Sequence, residues 1–226
     1  VGAFPYAEVI SGFTSFYLGV KSVCDSATME VKYTNSWASF DLEKECAEQL
    51  IADGCVLISQ HADTTGAPTA CEAKKVPCVG YNIDMIPTAP DAALTSATIN
   101  WGPYYTYAVQ SVIEGTAIDT DWSKGVKDGA DAITELNDKT VAKGTKEKVE
   151  EAQKGIEDGT IHVFDTSKFT VGGKTLEELV ESGDEDATKL QSYIKDGYFH
   201  ESDVAGGMTS APAFAFIIDG IDSITK

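Results

Sequence analysis

His61 and Asp63, in "SQHAD", stand two residues apart at the end of an apolar run. An imidazole beside a carboxylate can serve as a general base with its orienter, as two metal ligands, or as hydrogen-bond partners for a neutral polar ligand. A strand at this place would put both side chains on the same side. No third partner is evident, because His162 and His200 lie in distant segments, so a structural role in the loop stays open too. Asp84 follows "VPCVGYN". One carboxylate there can accept two hydroxyls, as sugars are held, or it can cap a turn. Trp101 and its neighbour Asn100 belong to "NWGPYY". The Trp101 indole is either a core plug or a stacking face for a flat ligand, and for Trp37 in "TNSW" core packing competes with lining the cleft.

The elements around these residues alternate. "VGAF" (1–4) is a short apolar run, and residues 6–21 place Val9, Phe13, Phe16, Tyr17 and Val20 on one helical face. "MEVKYT" (29–34) reads as a strand. Residues 39–54 read as a helix with Asp41 as cap, Glu43 in its first turn and Gly54 at its end. "CVLIS" (55–59) is continuous apolar sequence, as in a strand covered on both faces. A helix over 67–75, strands over 76–82 and 93–99, and a helix over 103–114 complete the series. Pro103 suits the first helical position there, with Trp101 just outside the first turn.

Strand–helix alternation predicts an α/β fold, a parallel sheet with helices on both faces. Ligands in such sheets bind outside the carboxyl ends of the strands. That rule selects loops 34–37, 59–69, 80–85 and 100–105, which hold most of the unusual polar and aromatic residues. Beyond residue 115 the texture changes. A helix over 145–159 with Val149, Ala152, Gln153 and Ile156 inward, and a strand over 160–164, look like parts of another sheet that is not encoded here. Residues 165–210 are acidic and loop-rich with a helix near 175–182, and "APAFAFIIDGI" (211–221) reads as a strand or covering hook.

Composition narrows the chemistry. The net charge of −19 argues against nucleic acid or an anionic membrane as partner. All 17 basic residues are lysine, so no guanidinium clamp on phosphate or carboxylate exists. Five cysteines (Cys24, Cys46, Cys55, Cys71, Cys78) form no CxxC pair; they read as buried thiols, with a Cys71–Cys78 disulfide as the alternative. "DTDWSKG" (119–125) has its glycine one place late for a calcium loop, and no phosphate- or dinucleotide-binding glycine motif occurs. No cofactor is expected.

Taken together, "GAFPYAEVISGFTSFYLGVKSV", "SWASFDLEKECAEQLIADGCVLISQHADTTGAPTACEAKKV", "VGYNIDM", "ALTSATINWGPYY" and "VIEGT" resemble the basic membrane protein family. These are substrate-binding lipoproteins of ABC transporters, including purine nucleoside receptors. The resemblance runs through about residues 1–165 and extends to the tail "IKDGYFHES" and "SAPAFAFIIDGI". It implies a type I periplasmic-binding-protein-like fold of two Rossmann-like lobes closing on a ligand. Residues 1–115 look like the second lobe, 116–165 like the return to the first, and 166–226 like an acidic tail and covering segment. The first lobe's amino-terminal half, with the lipid-anchored cysteine, is absent, which implies a fragment. The sheet face thereby left open implies a homodimer or an upstream chain.

Asp84 matches the family carboxylate that holds ribose hydroxyls. The family's lysine in the next loop falls near Asn100 or Trp101 and is missing, which shifts the expected ligand toward an uncharged purine-like base stacked on Trp101. The resemblance thus implies a non-enzymatic, extracytoplasmic solute-binding component, handing a nucleobase or nucleoside to an ABC permease. A ligand-sensing domain of a regulatory protein with the same fold, and a nucleoside hydrolase built on His61 and Asp63, are the rival readings.

Overall fold

The structure is a computed structural model that describes residues 1–204 and 206–224, so residues 205, 225 and 226 of the acidic tail lie outside it. Helix α1 (Ala7–Val23) leads into strand β1 (Met29–Lys32), helix α2 (Phe40–Ala52), strand β2 (Ile58–Ser59), helix α3 (Gly66–Lys74), strand β3 (Cys78–Tyr81), strand β4 (Ala93–Ile99) and helix α4 (Gly102–Glu114). Strand β5 (Asp131–Ile133) and helix α5 (Thr145–Glu157) follow. The tail carries helices α6 (Leu176–Glu181) and α7 (Glu185–Lys189), hairpins β6–β7 (Ile194–Lys195, Tyr198–Phe199) and β8–β9 (Asp203–Val204, Gly207–Met208), and strand β10 (Ile221–Ile224).

The amino-terminal residues knit the sheet together. Gly2 N donates to Lys32 O at 2.9 Å, and Ala3 N to His61 O at 3.0 Å. Both bridges are parallel, so the first residues lie as a strand between β1 and β2. The sheet therefore runs β10, β1, the amino-terminal run, β2, β3, β4, β5, parallel throughout except that β5 is antiparallel to β4. The expected parallel α/β sheet is present.

Helices α2 and α3 cover one face. Cys46, Ala47 and Leu50 of α2 and Ala67, Ala70 and Cys71 of α3 pack on Ile58, Cys78 and Ala93. Gly66 permits this: a Cβ there would clash with the Phe40 carbonyl and lie 3.0 Å from Lys44 N. On the other face α1 contributes Val9, Phe13 and Tyr17 to a core shared with Val31, Tyr33 and the tail. Alternate tail residues Phe214, Phe216 and Ile218 are buried, as an extended segment over a core dictates, and the chain then enters the sheet as β10. The 211–221 segment is thus a covering hook that runs into a strand. Glu201 clamps it, accepting from Ser11 Oγ and from the backbone N–H groups of Ala213 and Phe214.

Several expectations are corrected. Helices do not cover both faces fully: α4 buries only Ser111, and Val56 of the "CVLIS" run is 81% exposed. Residues 160–164 form no strand, and α5 buries only Gly155 rather than Val149, Ala152, Gln153 and Ile156. The sequence pattern there encodes an apolar face, yet no strand among the described residues lies beside it to receive it. Ser39, not Asp41, stands at the start of α2, and α4 begins at Gly102, which moves Pro103 to its second residue. The cysteines are thiols with no disulfide between Cys71 and Cys78, and Cys24 is exposed rather than buried.

Candidate functional site

Parallel strands end together, so the loops after them meet at one edge of the sheet. Here they enclose a cleft of about 340 Å³. Trp37 comes from the loop after β1, His61 and Asp63 from the loop after β2, and Trp101 from the junction of β4 and α4. Tyr81 and Asn82 at the end of β3, Ile99 at the end of β4, and Glu8 in the first turn of α1 complete the lining.

Local hydrogen bonds fix these loops. Asp63 N donates to Trp37 O at 2.9 Å, tying the first two loops together. The buried Glu43 carboxylate accepts from Ser39 N at 3.4 Å and from Thr64 N at 3.2 Å, which anchors the His61–Asp63 loop to the start of α2. Burial pushes the Glu43 carboxyl up, and the Thr64 and Ser39 donors oppose that. Asn82 adopts a left-handed backbone (φ 65°), a conformation asparagine tolerates well, and its side chain donates to Asp63 Oδ1 at 3.2 Å.

The His61 ring is wedged between α1 and β3. It packs on Gly12, where a Cβ would overlap Nδ1, and on Tyr81 with ring centroids 4.3 Å apart. Burial lowers its pKa to about 4, against the opposing pull of Asp63, so the imidazole is neutral near pH 7. Its Nε2 is buried with no protein partner, and the residue lines both this cleft and the neighbouring groove beside α1. The charges lining the cleft are the carboxylates of Glu8 and Asp63. Burial first, then Glu8, Asp63 and Asp131, push the Tyr81 hydroxyl up to about 12. A site of this sign disfavours anions.

The two indoles are open. Trp101 is 55% exposed and stacks on Tyr105 with centroids 6.0 Å apart, while Trp37 is 38% exposed and packs at 5.2 Å on Phe4. Asp84 and Asn100 are not brought into the cleft lining. Asp84 Oδ1 accepts from Ile86 N at 2.9 Å, capping its own turn. Asn100 Nδ2 donates to Gly129 O at 2.9 Å, and its Oδ1 accepts from Gly102 N at 3.0 Å, bracing the start of α4. Glu8, Tyr81 and Asn82 escaped the sequence reading. The strand-end rule covers Tyr81 and Asn82 in the 80–85 loop, whereas nothing in the spacing marks Glu8.

Comparison with known proteins places this architecture. The model of the Bmp family, ABC transporter substrate-binding proteins of the PnrA-like kind, matches residues 1–165. The chain belongs to the Bmp family. Its family is one of binding proteins, not enzymes. A purine-binding protein of Brucella abortus is 32% identical over 164 residues, which is 73% of this chain and 46% of that protein. A Haloferax volcanii protein named as an ABC transporter glucose-binding protein is 29% identical over 170 residues, 75% of this chain and 43% of its own length. The Bmp chain described here thus spans less than half the length of either relative.

Solved structures share the fold. An ABC transporter solute-binding protein of Conexibacter woesei superposes with a TM-score of 0.57 at 18% identity, over 71% of this chain and 54% of that one. A transcriptional activator of the comK gene from Bacillus halodurans gives 0.61 at 19% identity, over 71% and 56%. At such identities the likeness concerns the fold, which serves transport and regulation alike.

Proposed function

We propose that this Bmp chain forms the ligand-binding part of an ABC importer's solute-binding protein, taking up a purine-like nucleobase or nucleoside. The observation that carries this is the cleft itself, where two exposed indoles meet a neutral imidazole whose Nε2 lacks a partner. A flat heterocycle stacks on Trp101 or Trp37, a contact that contributes about 1–3 kcal/mol per base. His61 Nε2 takes one hydrogen bond, and Asp63 and Glu8 accept from amino or ring N–H groups. With no lysine in the lining, a phosphate is disfavoured and a neutral, donor-rich ring is favoured. The purine-binding relative supports the same class.

In this reading residues 1–115 are the ligand-binding lobe, 116–165 the return segment and 166–226 the cover. The same reading makes the protein an extracytoplasmic, lipid-anchored component that delivers its ligand to an ABC permease. Isothermal titration with adenine, guanine, adenosine, AMP and glucose tests the ligand class. Adenine or guanine is expected to bind and AMP to fail. Saturable binding of glucose with none of the purines contradicts the proposal, and release of free base from adenosine would make the chain an enzyme.

A further inference from the structure

The family match ends at residue 165, yet the chain beyond it reaches back to a wall of the ligand cleft. Helix α1 supplies that wall. Glu8 in its first turn lines the cleft, and Gly12, one turn later, is the surface against which the His61 ring lies. Ser11 is buried in the same turn. Its Oγ donates to Glu201 Oε1 at 3.0 Å, although the two residues stand 190 positions apart in the chain.

The carboxylate at the other end of this bond is held firmly. Glu201 also accepts from Ala213 N at 2.8 Å and from Phe214 N at 3.2 Å, so the segment from 201 to 214 closes on itself through one side chain. Phe214 is fully buried in the core that α1 shares with the tail, which fixes where the carboxylate stands. Burial pushes the Glu201 carboxyl up, and the Ala213, Ser11 and Phe214 donors oppose that. Hydrogen bonds to an ionised acceptor are the stronger class. The start of α1 has less to hold it: Tyr6, at the N-cap position, makes no side-chain cap bond. Ser11 gives these turns the side-chain tie that the N-cap does not.

We propose that Glu201 is a positioning residue for the ligand cleft: through Ser11 it holds the first turns of α1 in place, and with them Glu8 and the Gly12 face that keeps the His61 ring in its slot. Without the bond these turns lift, the slot between Gly12 and Tyr81 widens, and water reaches the ring. The segment after the family match is then part of the binding machinery as well as a cover. Its effect on binding rests on the function proposed above, whereas its effect on the His61 ring needs no ligand.

Nuclear magnetic resonance titration of the imidazoles, with His61 assigned through His61→Gln, reads the second effect, and isothermal titration with adenine reads the first. Ser11→Ala removes the tie but leaves Glu201 bonded to Ala213 and Phe214, and alanine suits a helix interior, so the fold is kept. Burial holds His61 at about 4, with Asp63 and the Val1 amino terminus as the charges acting on it, and both charges stay in every variant. In Ser11→Ala and in Glu201→Ala the value is expected to rise to about 5 or above, toward its ordinary 6.5. Affinity for adenine falls about fivefold in both. Ser210→Ala cuts a different tie of the same segment, the hydroxyl bond to Asp121 at 3.1 Å, and leaves both readings at wild type. A wild-type His61 titration in Ser11→Ala overturns the proposal, as does an equal rise in Ser210→Ala, or a raised value beside an unchanged adenine affinity. If the wild type binds no purine, the functional reading fails while the His61 titration still decides the positioning role. Ser11→Ala decides it even if Glu201→Ala does not fold.

Discussion

Replacing Gly12 with alanine isolates the role of the His61 ring. The added Cβ would overlap Nδ1 and lie 2.8 Å from Cε1, where ordinary contacts are about 3.5–4.0 Å. With Tyr81 on its other side, the ring cannot slide and must swing out of its slot. For stability, opposing terms nearly cancel. A glycine in the interior of α1 is worse than alanine by about 1 kcal/mol, and the ring pair lost is worth about 0.5–1.5 kcal/mol. The melting temperature should therefore move by no more than about 4 °C. Binding should suffer more, because one hydrogen bond of about 1 kcal/mol and the shape of the cleft wall disappear together, giving a loss on the order of tenfold. Parallel thermal melts and isothermal titrations read the two effects. An unchanged affinity refutes the idea that the His61 ring contacts ligand, and a large drop in melting temperature shows the ring to be a core element instead.

Two further outcomes follow from the same loops. Burial holds His61 near pKa 4 against an ordinary 6.5, so between these values the unfolded chain binds a proton that the folded chain does not. Stability then falls as pH drops through that window, by about 3 kcal/mol in full, and His61→Gln should lose less than wild type in urea unfolding at pH 7 and pH 4. Glu43 and Glu201, both pushed up by burial, act in the opposite sense but equally in both proteins. Equal losses in the two proteins contradict the assignment. Glu43→Ala removes the acceptor for Thr64 N and Ser39 N and should cost about 2 kcal/mol, a fall of roughly 4–8 °C in melting temperature by circular dichroism. A melting temperature that stays put or rises would count against the anchoring role.

The sequence made the site legible where local order and topology speak together. Alternating elements imply a parallel sheet, and a parallel sheet brings Trp37, His61, Asp63 and Trp101 to one edge from three separate loops. Side-chain direction was not legible. Asp84 and Asn100 sit in the right loops, yet short-range bonds to Ile86 N, Gly102 N and Gly129 O hold them outside the cleft lining. Asparagine and aspartate compete for nearby backbone groups in this way, and nothing in the spacing reveals which bond prevails. Glu8 was hidden because its place depends on the amino-terminal run inserting between β1 and β2. Residues 160–164 show the same dependence: an apolar run becomes a strand only where a partner edge exists, which is a non-local condition.

Tryptophan fluorescence tests the central claim most directly, because Trp37 and Trp101 line the cleft while Trp122 lies outside it against Tyr107. In a Trp122→Phe background, adenine and guanine are titrated into the protein and its Trp101→Ala variant. The account predicts saturable quenching by at least one purine, weakened about tenfold or more in the variant, whose fold is unchanged. Quenching with equal affinity in both proteins, or no saturable change with any purine, would contradict it.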